Sequence, residues 1–339
     1  MLALMRLTLV LVGVGVCACA GTPPAPPLTP APPPLQPVVE AVPEPTPPPP
    51  PKEVPPPRIA LVLGGGGARG FAHVGVLRVL EREKIPLALV VGTSVGSLIG
   101  ALYAAEPNTF ELEWKAFRIE QGDLFDFSLF VAATGPVKGD AIRQFVAKNV
   151  KLQLIEQFPI PYIAIAADLN TGERVLFSSG SIVDAVRASV SIPGVFTPAR
   201  IGARTLVDGG IVANLGIEVA REAGADIVIA SNITQNVVDY GVSDLVSITL
   251  QSVNIMMGEM AKYQVKLADV VVTPAIGDVG TMDFTQKKRC MQAGIQAADA
   301  QMLALKQAIA KYYLDRGGVV PPGLLPPTSA VDLRLPPKG

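Results

Sequence analysis

Between Arg58 and Arg316 the apolar positions fall into short unbroken runs that alternate with longer stretches of helical spacing. Ile59–Leu63 is continuously apolar, as a strand covered on both faces requires. Beyond a glycine-rich loop, Phe71, Val74, Leu77 and Leu80 share one stripe, while Arg78, Glu81, Arg82 and Lys84 lie largely elsewhere. That spacing predicts a helix from about Arg69 to Glu83. Leu87–Val91 repeats the buried-strand pattern and leads into a helix through Ala105. Further strands are expected at Tyr162–Ala167, Arg174–Phe177, Arg204–Val207 and Asp226–Ala230, and long helices over Ser243–Leu267 and Thr285–Leu314. Alternating strands and helices predict a three-layer α/β/α domain with a mainly parallel central sheet, over residues 58–316.

The flanks read differently. Met1–Ala20 carries one positive residue, Arg6, then an apolar run from Leu7 to Val16, then small residues. The run is short for a membrane span and has the layout of a secretory signal over residues 1–19. Ala18-Cys19-Ala20 fits an ordinary cleavage site, whereas Val16-Cys17-Ala18-Cys19 resembles a bacterial lipobox. We favour the second, with Cys19 lipidated; the alternative is a soluble periplasmic or secreted protein. The mass of the mature amino terminus separates the two. Residues 20–57 form a linker: Thr22–Pro57 holds more than half of the 33 prolines. Such a segment builds no core but stays extended, reaching on the order of 100 Å at about 3.1 Å per residue. It suits a spacer between an envelope membrane and the domain, and its PxxP-like stretches offer a second role as a protein-binding segment. A proline-rich tail covers 317–339.

A net charge of −1 leaves no electrostatic footprint for nucleic acid. Cys290 stands alone in the domain, so no disulfide forms within it, and it reads as a small buried apolar residue. No clustered histidines and cysteines offer a metal site, and no cofactor is expected.

Three local patterns carry chemistry. Gly64–Gly70 reads GGGGARG after the first strand, so backbone amides can converge at a helix N-terminus, on a phosphate or an oxyanion. Gly65, Gly67 and Gly70 satisfy G-x-G-x-x-G, but the next strand ends Val90-Val91-Gly92 without the carboxylate a dinucleotide ribose needs. A P-loop fails because Phe71 stands in the lysine position. The second pattern, Gly92-Thr93-Ser94-Val95-Gly96, is G-x-S-x-G between a predicted strand and a predicted helix, the setting of a nucleophile elbow. The plainer reading is a serine helix cap. The third, Asp208-Gly209-Gly210, closes a predicted strand with an acid; taken alone it is equally a turn. His73 is the single histidine. A Ser94–His73–Asp208 triad would need it to reach over from the first helix, and a packed structural histidine fits its position better.

Together these blocks resemble the patatin-like phospholipases, and most of all their bacterial members related to neuropathy target esterase. The resemblance runs through Leu63–Leu77, Val91–Ala104, Asp168–Gly172, Ser189–Pro198, Val207–Gly216 and Gly280–Phe284. Gly216 departs from it, many relatives carrying proline there. The resemblance implies a patatin-like fold and a Ser–Asp dyad, with Ser94 as nucleophile and Asp208 as base. It implies oxyanion donors in Gly65, Gly66 and Gly67, a bracing role for Arg69, and support from Gly70, Gly92, Gly96, Gly209 and Gly210. Acyl esters of phospholipids or lysophospholipids are the implied substrates. The apolar run from Leu124 to Val131 is expected to line or cover the acyl-chain route, core packing being the commoner fate of such a run.

Overall fold

The computed structural model describes residues 52–124, 137–234 and 244–324. Cys19 with the signal and nearly all of the linker, residues 125–131 of the apolar run, and the tail from residue 325 lie outside the described residues.

The first half of the domain runs β1 (Ile59–Leu63), α1 (Phe71–Arg82), β2 (Leu89–Thr93), α2 (Val95–Ala105), α3 (Thr109–Phe117), α4 (Gln121–Leu124) and α5 (Asp140–Asn149). It continues through β3 (Tyr162–Asp168), β4 (Arg174–Phe177), α6 (Ile182–Ser189), β5 (Ala199–Ile201), β6 (Arg204–Asp208), α7 (Gly210–Ala213) and α8 (Ile217–Glu222). The last elements are β7 (Ile227–Ser231), α9 (Leu245–Gln264), β8 (Val270–Val272) and α10 (Lys287–Asp315).

One eight-stranded sheet organises these elements, with β3, β2, β1, β7 and β8 mutually parallel. Successive β1 residues point to opposite layers. Ile59, Leu61 and Leu63 pack in the core with Leu77 of α1, Leu98 of α2 and Leu305 of α10. Ala60 and Val62 pack instead with Ile217 and Val219 of α8 and Ala261 of α9. The expected α/β/α sandwich is therefore present. The expectation of a mainly parallel sheet holds for these five strands, while β4 and β6 each pair antiparallel with β3, and β5 pairs antiparallel with β6. The cause is local: β3–β4 and β5–β6 are joined by segments too short for a crossover, so each pair closes as a hairpin.

A consequence of that mixture positions the site. Ala164 and Ile165 of β3 pair with both β2 and β4, whereas Ala166 and Ala167 pair with both β4 and β6. A strand has two edges, so β2 and β6 occupy the same edge of β3, head to head. Thr93 pairs with Ile165 and Asp208 with Ala166. The residue after β2 and the last residue of β6 are thereby brought to one point in the sheet.

Helices α1 and α10 touch backbone to backbone. A Cβ on Gly75 would sit 2.1 Å from the Met291 carbonyl oxygen, and one on Gly294 would sit 2.0 Å from that of Ala72. Gly75→Ala is expected to force the helices apart and destabilise the domain by about 2–3 kcal/mol. Urea unfolding measures this; an unchanged midpoint would rule out the close crossing.

Candidate active site

Ser94 caps α2 with φ 56° and ψ −128°, and with Lys84 it is one of two non-glycine residues at positive φ among the described residues. Any residue that carries a Cβ is strained there, at a cost of about 1–3 kcal/mol. The turn can be this tight because its neighbours lack side chains. A Cβ on Gly96 would meet the Leu63 carbonyl oxygen at 2.1 Å, and one on Gly92 the Gly96 oxygen at 2.5 Å. The Ser94 amide donates to Ser189 Oγ at 2.9 Å, and that hydroxyl donates to the Ile165 carbonyl at 2.6 Å. Ser97 Oγ donates to the Ser94 carbonyl from the other side.

Asp208 is 2 % exposed. Its amide donates to the Ser191 carbonyl at 2.9 Å, so the Ser189–Ser191 turn holds Ser94 and Asp208 together. The Gly210 amide donates to Oδ1 at 2.7 Å. Oδ2 is buried without a hydrogen-bond partner. Burial pushes this carboxyl up to about 6, against the smaller opposing pulls of the Ser94 hydroxyl and the Gly210 amide. The hydroxyl thus acts on the charge, while Oδ2 accepts no hydrogen bond.

His73 is fully buried and lies apart from both groups. Its Nε2 pairs with the Gly64 carbonyl oxygen at 2.9 Å and its Nδ1 with Ser231 Oγ at 2.8 Å. A carbonyl only accepts, so Nε2 carries the proton and Nδ1 accepts from Ser231. Burial lowers its pKa to about 4, partly offset by the Gly64 bond. With both nitrogens engaged, the ring cannot serve Ser94 without breaking two bonds. The triad reading has no geometric support.

In the glycine loop, the Gly65 amide donates to Asn214 Oδ1 at 2.9 Å and the Ala68 amide to the Thr281 carbonyl at 2.7 Å. The amides of Gly66 and Gly67 have no partner among the described residues. Of the three amides expected as donors, that of Gly65 is thus already engaged. Gly67 has φ +59°, and a Cβ on it would lie 2.2 Å from the Thr281 oxygen, so no other residue fits. Arg69 is buried and braces the loop, with Nε donating to the Gly66 carbonyl at 3.0 Å and Nη2 to Asn254 Oδ1 and Thr281 Oγ1 at 3.1 Å each. Gly70 gives room to Val95, and Gly209 to the Ile165 carbonyl.

Sequence reasoning passed over Ser189, Asn214, Met257 and Thr281. Ser189, Asn214 and Thr281 fall inside the blocks that carry the resemblance, which was the available signal. Met257, the one buried apolar side chain of α9 besides Ala261, reaches between Gly65 and Gly210. Beside Ser94 lies a small apolar pocket walled by Leu98, Ile142, Val190, Ile192, Phe196 and Phe284.

A family model described as patatin-like phospholipase matches residues 61–221. An uncharacterized NTE family protein of Mycobacterium tuberculosis is 36% identical over 173 residues, covering 51% of this chain and 48% of the relative. Patatin-like phospholipase domain-containing protein 6 of Homo sapiens is 36% identical over 181 residues, covering 52% of this chain and 13% of that protein. The chain thus spans about half the length of its mycobacterial relative. Among solved structures, VipD from Legionella pneumophila aligns with TM-score 0.44 and 15% identity over 76% of this chain and 67% of that one. Over residues 61–221 this chain matches the patatin-like phospholipase family, and the relatives it resembles there include NTE family proteins.

Proposed function

We propose that the chain is a serine acyl hydrolase acting on phospholipid or lysophospholipid esters through a Ser94–Asp208 dyad. The observation that carries the reading is the meeting of a strained, turn-mounted serine with a buried carboxyl raised to about 6 whose Oδ2 has no partner. Unlike an ordinary aspartate, a carboxyl at that value has useful basicity, and at pH 7 about nine-tenths of it is still charged.

Asp208 Oδ2 takes the Ser94 proton as Oγ attacks the ester carbonyl. The developing alkoxide receives hydrogen bonds from the Gly66 and Gly67 amides, at a helix N-terminus that favours negative charge. Asp208 then returns the proton to the departing alcohol oxygen, leaving an acyl-serine. Water, deprotonated by the same carboxylate, attacks that ester; the fatty acid leaves and Ser94 regains its proton. The apolar pocket beside Ser94 supports an acyl chain as the group held there.

The test is fatty acid release from a lysophospholipid measured below and above its micelle-forming concentration, against p-nitrophenyl acetate as a soluble ester. The rate on lysophospholipid is expected to rise as aggregates form, and kcat to climb with pH through about 6 as Asp208 ionises. A preference for the soluble ester, indifferent to aggregation, would mark a small-ester esterase instead. No hydrolysis at all would favour a membrane-tethered binding protein.

A further inference from the structure

Among the described residues two buried side-chain polar atoms lack a hydrogen-bond partner: Asp208 Oδ2 and Asn214 Nδ2. The first has its task in the proposed mechanism. The second does not, and a buried donor without a partner calls for a reason.

Asn214 is fully buried at the end of α7, six residues beyond the acid. Its orientation is fixed by chemistry. The Gly65 amide can only donate, so the oxygen of the Asn214 amide must face it, and rotating the group would set N–H against N–H. Its backbone is fixed as well: Thr93 Oγ1, next to the nucleophile, donates to the carbonyl of Ala213 at 3.0 Å. The group also lies beside the reacting centre. The point where a Cβ on Gly65 would sit is 2.7 Å from Asn214 Oδ1, 3.1 Å from Ser94 Cβ and 3.1 Å from Met257 Cε. A leucine of similar size would fill this space without leaving an amide stranded.

We infer that Asn214 is a third functional side chain of the site: Oδ1 orients the Gly64–Gly65 peptide, and Nδ2 donates to the substrate oxygen as it becomes an alkoxide at Ser94. His73 holds the other end of that peptide through the Gly64 carbonyl. The diverted Gly65 amide is thus replaced as an oxyanion donor by the side chain that captured it. This assignment rests on the acyl-transfer reading of Ser94.

Asn214→Asp and Asn214→Leu in the full chain test it. The aspartate keeps an acceptor for the Gly65 amide and removes the donor; the leucine removes both. Each variant is expected to lose about 100-fold in kcat on p-nitrophenyl butyrate with KM within threefold, since the lost bond belongs to the transition state. Phosphonylation of Ser94 by a fluorophosphonate, which also passes through a tetrahedral oxyanion, is expected to slow by a similar factor. A crystal structure of the wild-type phosphonyl adduct is expected to place Nδ2 within hydrogen-bonding distance of a phosphonyl oxygen. Wild-type rates in either variant, or Nδ2 turned away in the adduct, would overturn the assignment. So would a loss confined to KM, or one that follows a fall in melting temperature in both variants. A wild-type chain labelled nowhere by the probe would instead bring down the acyl-transfer reading, and this assignment with it.

Discussion

Ser94→Gly is expected to lose hydrolysis while making the folded domain more stable. The hydroxyl is the proposed nucleophile, and removing such a group costs about four to six orders of magnitude in kcat. The same position holds φ 56° and ψ −128°, which glycine visits freely and serine does not. Relief of about 1–3 kcal/mol of strain exceeds the added chain entropy of a glycine, leaving a net gain of about 1–2 kcal/mol. Ser94→Ala serves as the control: it also lacks the nucleophile but keeps a Cβ, so hydrolysis vanishes with no gain in melting temperature. Residual turnover above about 1% of wild type in the glycine variant would exclude Ser94 as nucleophile. A lowered melting temperature would show that the turn stores no strain.

That pairing of strain and activity was legible in the sequence only in part. G-x-S-x-G after an apolar run announces an elbow because two missing side chains serve no other evident purpose there. The expected strand ended at Val91, yet β2 continues through Thr93 to the foot of Ser94. The glycine and threonine do not look apolar, and their place in the sheet comes from pairing with Ala164 and Ile165. β5 and β8 have three residues each, too few for any period to register. The acid was readable as the close of a strand, but not the direction from which it arrives. Its opposition to Ser94 depends on β6 taking over the edge of β3 that β2 vacates, a tertiary pairing with no local signature. Asn214 shows the same limit. An asparagine after a short apolar stretch is unremarkable until the amide it meets, 149 residues away in sequence, turns out to be that of Gly65. Gly216, the departure from the resemblance, has φ −75°, which proline tolerates, but here Ile165 Cδ1 lies 2.4 Å from where a Cβ would stand. The larger side chain of the neighbouring strand fills the room that a ring would need.

Asp208→Asn is expected to reduce kcat by about four orders of magnitude, and to change the way stability depends on pH. Two fully buried groups with displaced pKa values pull in opposite directions. Asp208 is raised to about 6 from 3.8, so the folded chain keeps a proton that the unfolded chain has released. Its contribution is complete below 3.8 and is lost as pH rises through about 6. His73 is lowered to about 4 from 6.5, so the unfolded chain takes up a proton that the folded chain refuses. Its contribution is complete above 6.5 and is lost as pH falls through about 4. Each displacement corresponds to about 3 kcal/mol, so between about pH 4 and 6 the two slopes nearly cancel in the wild type. Asp208→Asn removes one of them. Urea unfolding is expected to show the variant near wild-type stability at pH 4 and about 3 kcal/mol above it at pH 7, with a curve that now rises with pH. His73→Gln is expected to leave the opposite slope, stability falling as pH rises from 4 to 6. The two variants together separate the functions as well as the charges. The asparagine abolishes turnover in a stabler fold. The glutamine loses turnover only so far as the Gly64 carbonyl drifts, and its kcat keeps the ascent through about 6 that belongs to Asp208. An Asp208→Asn difference that stays constant from pH 4 to 7 would show that the carboxyl titrates normally in the fold, and would remove the basicity on which the dyad depends.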